Sequence, residues 1–198
     1  MNPDSKTRLC ADVFCTQDTN STQDIFINGD FYCRGALTEV FSKDQDLTLE
    51  VFGDLYVDKL IYFSNVIVHG NLHCEGISCT KLIVLGDIFI NGNHDSSTTF
   101  FVGELDSSQV YCDGNVSVTG TINSGTFVAN GSVTATSINV DDILAGDMNV
   151  SKDISFMNEV FCTGHIKCSE FWSPNFMEDN LPKVHAKSIQ SKNFAINC

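Results

Sequence analysis

Apolar residues recur along the chain at fixed offsets from a repeated glycine. The box Gly86–Asp87–Ile88–Phe89–Ile90 returns at Gly53, Gly70, Gly114 and Gly146, with weaker copies at Gly29, Gly103, Gly131 and Gly164. Two residues after the glycine stand Phe31, Leu55, Leu72, Ile88, Leu105, Val116, Val133, Met148 and Ile166. Two before it stand Ile27, Val51, Val68, Val84, Phe101, Cys112, Ala129, Leu144 and Cys162. Four after it stand Cys33, Val57, Cys74, Ile90, Ser107, Val118, Ala135, Val150 and Cys168, in which only Ser107 is polar. The three columns share parity, so on extended chain they point to one face. The residue just after the glycine is polar and points the other way: Asp30, Asp54, Asn71, Asp87, Glu104, Asn115, Ser132, Asp147 and His165. Alternation of this kind predicts strands buried on one side.

The spacing sets the architecture. Six of the eight glycine intervals are 15 to 18 residues long, too short for a two-helix repeat of roughly 33 residues. They suit one coil of three short strands with tight corners. The pattern predicts an all-β, single-stranded β-helix (a solenoid) of about 8–9 coils of about 17 residues, roughly 40 Å long at the strand spacing. One domain is expected: a cap or flexible segment over 1–24, coils over 25–168, and a C-terminal cap and tail over 169–198. The long interval from Gly29 to Gly53 predicts an excursion around 41–46. The stretch 93–97 reads as a corner loop. The 11-residue interval after Gly103 predicts a misplaced glycine or a shortened turn.

Charge changes the picture most. The net charge is −14, and no Lys or Arg occurs between Leu82 and Ser151. That stretch carries Asp87, Asp95, Glu104, Asp106, Asp113, Asp141, Asp142 and Asp147. Stacking predicts a continuous negative face there. Its sign disfavours nucleic acid and favours a basic protein partner, whose approach it would speed. Reversing Asp87, Asp141 and Asp142 is then expected to weaken binding. The plainer alternative is that the corners are acidic for solubility.

Candidate chemistry is sparse. His69 and His73 are about 13 Å apart on an extended strand, so no metal site is expected. No catalytic triad, phosphate loop or cofactor motif stands out. Neither a signal peptide nor a membrane span is expected. Nine cysteines could suggest disulfides, but Cys33, Cys74, Cys112, Cys162 and Cys168 fill slots that Val or Ile fills in neighbouring coils. They read as small buried hydrophobes with reduced thiols, which points to a cytoplasmic protein.

The Gly-[Asp/Asn]-apolar-x-[Val/Ile/Cys] box at this spacing resembles the bactofilin-like, polymer-forming β-helix proteins over roughly residues 25–168. It also resembles β-helix immunity proteins of bacterial polymorphic toxin and contact-dependent inhibition systems. The resemblance implies a non-catalytic protein. The expected function is an acidic module that neutralises a basic toxin domain. The alternative is a self-assembling scaffold, joined through uncapped coil ends.

Overall fold

The computed structural model describes residues 7–40, 46–92, 103–174 and 182–195. These residues are all-β, and every strand pair is parallel. The chain winds into a three-sided solenoid. The fourth turn shows the plan. Its first strand is Asn65–Val68, its second is Leu72–Cys74, and its third opens the long strand Gly76–Val84. That long strand bends near Thr80, and its second half becomes the first strand of the next turn. The second strands form a ten-stranded sheet, and the first and third strands together form a fifteen-stranded one. The described residues thus trace ten turns, one for each strand of the smaller sheet.

Side chains sharing a slot lie over one another. Leu55, Leu72, Ile88, Val116, Val133 and Met148 are register partners in succession. Val51, Val68, Val84, Cys112 and Ala129 do the same on the first face. All are buried, as are Val57, Ile90 and Val118. A buried aliphatic side chain of this kind contributes about 1.5–3 kcal/mol. Backbone entropy opposes it with about 1–2 kcal/mol per residue, so a single turn cannot stand alone.

The stack is longer than the columns implied. Residues 7–21, expected as a cap or flexible segment, supply the strands Thr7–Leu9, Val13–Cys15 and Thr19–Ser21 of a first turn. Strands Lys183–His185, Ser188–Gln190 and Asn193–Ala195 form a last one. The box reading missed both because neither turn has the glycine: Gly29 lies against Ala11, and the Lys187 N–H donates to the Gly164 carbonyl.

Two assignments within the columns also change. Gly103 does not belong to the glycine column. The Gly114 N–H donates to the Gly86 carbonyl, bypassing Gly103, whose own N–H donates to Glu75 on a different corner. There Gly103 adopts φ 77°, a conformation only glycine takes freely. Leu105 and Ser107 therefore lie on the third face, and Phe101 lies outside the described residues. Leu144 faces outward, and Ala145 fills the inward slot beneath Cys162. The 15-residue interval before Gly146 shortens that corner by one residue, which moves the slot.

Candidate functional site

The acidic residues do not share one face. Asp87 and Asp147 sit at the corner between the first and second faces, and Asp113 directly precedes that corner. Asp142 lies on the first face, Asp141 at the bend between third and first, Asp106 on the third face, and Glu104 at its entrance. Asp95 lies outside the described residues. Burial raises the carboxyl of Asp106 above its usual range.

Asp87 and Asp147 have structural duties. At the glycine corner, each Asp or Asn accepts the backbone N–H of its counterpart one turn on. Oδ1 of Asp30 takes the Asp54 N–H at 2.8 Å, Oδ1 of Asp54 takes Asn71 at 2.6 Å, and Oδ1 of Asn71 takes Asp87 at 2.9 Å. Oδ1 of Asp87 takes Asn115 at 2.6 Å, and Oδ1 of Asp147 takes His165 at 2.7 Å. Asn71 and Asn115 also donate their amide N–H to the carboxylate beneath, so they separate charges that would otherwise stack. Asn71→Asp would join the run Asp12, Asp30 and Asp54 to Asp87, placing five carboxylates in succession. We expect it to lower stability by about 1–3 kcal/mol at neutral pH. The loss should shrink below about pH 4, where carboxyls protonate. Thermal melts across that range read the effect.

The first face carries an outward row that is mostly apolar. Ile67, Ile83, Tyr111, Val128, Leu144 and Phe161 are register partners in succession. Tyr111, Leu144 and Phe161 are 39%, 37% and 41% exposed, on a side that water normally covers. A parallel row runs Lys81, Gln109, Thr126, Asp142, Glu159 and Lys183. On the other side, the Tyr111 hydroxyl donates to Asp113 at 3.2 Å. Between Thr126, Val128, Asp142, Leu144, Glu159 and Phe161 lies an open hollow of about 420 Å³. Its floor is apolar and its margin acidic. An exposed apolar strip on a folded domain is a candidate interaction surface.

The second face carries a stack of rings. Phe14, Tyr32, Tyr56, His73 and Phe89 follow one another with centroids 4.9, 4.9, 4.6 and 4.6 Å apart. Burial within the stack, then the nearby Asp30 and Asp54 carboxylates that accept from the hydroxyls, raise the Tyr32 and Tyr56 phenols. Burial lowers His73, against the opposing pull of Asp54 and Asp87.

The histidines singled out by sequence are apart in role. His69 stacks on Phe52 and meets Glu50 at 3.0 Å, whereas His73 belongs to the ring stack. His165 meets the Ser188 hydroxyl at 2.8 Å. No group of three or more metal-ligating side chains occurs among the described residues. Cys33, Cys74, Cys112, Cys162 and Cys168 are free and buried. Burial raises the Cys74 thiol far above its ordinary range and pushes Cys79 up to about 12. Glu39 is buried and was not singled out by sequence. Its carboxylate accepts the Ser64 N–H at 2.7 Å and the Ser64 hydroxyl at 2.5 Å, closing the corner of the next turn. No described helix is long and apolar enough to cross a membrane. No family model, curated protein or solved structure matches the chain.

Proposed function

We propose that this chain is a non-catalytic, acidic binding module for a basic protein, and that its partner is a bacterial toxin domain that it neutralises. The observation that carries the reading is the outward row of the first face. Tyr111, Leu144 and Phe161 offer apolar area, and Asp113, Asp142 and Glu159 border it. Apolar area with a charged margin is the usual composition of a protein interface. The acidic margin speeds the approach of a positively charged partner and rejects a negative one. The immunity reading adds a cytoplasmic location and a cognate toxin, both drawn from the resemblance of the glycine box.

The test uses the protein encoded beside this chain's gene as ligand. Calorimetry or stopped-flow at low and high salt should show salt-sensitive binding. Asp142→Lys with Glu159→Lys should slow association by about tenfold and flatten its salt dependence. Phe161→Asp should weaken binding through dissociation. Asp87 is unsuited to the test because its carboxylate holds the corner ladder. Wild-type affinity in all these variants would remove this face from the interface.

The self-assembling reading draws on a separate observation. The end turns expose Leu9 and Phe194, and among the described residues each end presents strand edges. Unpaired strand edges of this kind template further strands. Sedimentation across a wide concentration range separates the readings: growing filaments favour assembly, and a constant monomer removes it.

A further inference from the structure

Among the described residues, the ring stack on the second face stops at an uncovered surface. His73 covers one face of Phe89 at 4.6 Å. The next rung above Phe89 is Ser117, whose side chain is too small to cover a ring. The exposures agree. Tyr32, Tyr56 and His73 are half-buried, whereas the end rings Phe14 and Phe89 are 70% and 38% exposed. Only at Phe89 does the open end lie within the body of the solenoid, with further turns above it. An open groove of about 690 Å³ runs past it, lined by His73, Glu75, Phe89, Asn91, Ser117 and Thr119, with Asp58 at its far end.

The charged groups nearest Phe89 are carboxylates. The carboxylates of Glu75 and Asp58 make no hydrogen bond or ion pair among the described residues. Asp87, two residues before Phe89 on the glycine corner, is close enough to His73 to act on its charge. Two cations stand on the Asp58 corner. Lys59 is paired with Asp18 at 3.2 Å, and Arg34 makes no ion pair among the described residues. From Leu82 to Ser151 there is neither Lys nor Arg.

We propose that this groove is a binding site for an arginine side chain of another protein or peptide. The guanidinium takes the missing rung. It lies flat on the free face of Phe89 and directs its N–H groups to Glu75, with Asp58 further along. Three requirements meet in that group. It is planar, so it continues a stack of planes. It is cationic, so the ring quadrupole and the carboxylates both attract it. It is weakly hydrated, so stacking costs it little solvation, unlike a lysine ammonium. A neutral aromatic ring satisfies only the first requirement. The site lies on a different face from the apolar row and does not depend on it.

The experiment is a nuclear magnetic resonance titration with blocked Gly-Arg-Gly, Gly-Lys-Gly and Gly-Phe-Gly peptides. The arginine peptide should shift the Phe89 and His73 ring signals and the Ser117 amide. It should bind about tenfold more tightly than the lysine peptide. Ser117→Phe fills the rung with a ring of the chain's own and should abolish the shifts. Should that variant fail to fold, Phe89→Ala removes the platform at an already exposed position and should do the same. Glu75→Gln should weaken binding about tenfold while leaving the fold intact. Phe161→Asp on the first face should leave the titration unchanged, so failure here and failure of the proposed partner face are read separately. The proposal is overturned if lysine or phenylalanine peptides bind as well as arginine. It is also overturned if the Phe89 and Ser117 variants bind normally, or if the shifts map to Tyr111, Leu144 and Phe161.

Discussion

Leu72→Asp should abolish the cooperative fold. Leu72 is fully buried between Leu55 and Ile88, its register partners in the turns on either side. The change removes about 1.5–3 kcal/mol of apolar burial. It also forces a carboxyl into a core with no partner, which costs several kcal/mol more even if the group protonates. Together these approach or exceed the roughly 5–15 kcal/mol by which domains are stable. The lesion sits mid-stack, so it cuts the turns on either side off from each other. Circular dichroism should show loss of the β signal or two weaker transitions. Leu144→Asp is the matched control, because Leu144 faces solvent. A Leu144 variant as damaged as the Leu72 variant would contradict the assignment of faces.

Gly86→Ala should produce the second large effect, for a different reason. Its backbone conformation suits any residue, but there is no room. An added Cβ would lie 2.5 Å from Asn71 Oδ1 and 2.6 Å from the Gly70 carbonyl oxygen. Backbone cannot retreat there without breaking the Gly86 N–H bond to that same carbonyl, 3.0 Å long. Overpacking of this kind costs about 1–3 kcal/mol, and loss of the rung bond adds about 1 kcal/mol. Denaturant titration should show a lower midpoint with an unchanged slope. A midpoint equal to wild type would mean that the turns are not stacked this closely.

The fold was legible because a solenoid repeats its constraints. The same inward slot recurs every turn, so Leu55, Leu72 and Ile88 announce one another at a fixed interval. What escaped the pattern has local causes. Gly103 carries the right residue type for the box, but it serves a different corner, and only the pairing of Gly86 with Gly114 reveals this. Leu144 falls in an inward column of the box, yet faces outward because one deleted residue reverses the parity of the strand. The terminal turns lack the glycine, so the box does not reach them.

The surface was harder to read than the core. Charge is visible in sequence, but its placement depends on which corner each acid occupies. Asp87 and Asp141 are both acidic, yet one holds a ladder and the other sits at a bend. The outward apolar row left a trace that inward-looking columns pass over. Three residues before the glycine stand Phe26, Glu50, Ile67, Ile83, Tyr111, Val128 and Phe161, with Glu50 the one charged member. The ring stack is likewise written three residues after it, as Tyr32, Tyr56, His73 and Phe89. Neither row follows from burial, since folding alone would accept polar residues at both. Their chemistry therefore points to what the outside of the solenoid meets.

The most direct test is the order of methyl and ring contacts along the core, measured by nuclear Overhauser effects on a methyl-labelled sample. Ile88 should make its strongest contacts with Leu72 on one side and Val116 on the other, and Leu105, which the glycine box alone would have placed next to it, should not take the place of Val116. Leu105 should touch Ile77 and Ile122 instead. Strong contacts between Ile88 and Leu105 in place of Ile88 and Val116 would contradict the stacking register, and with it both outward rows.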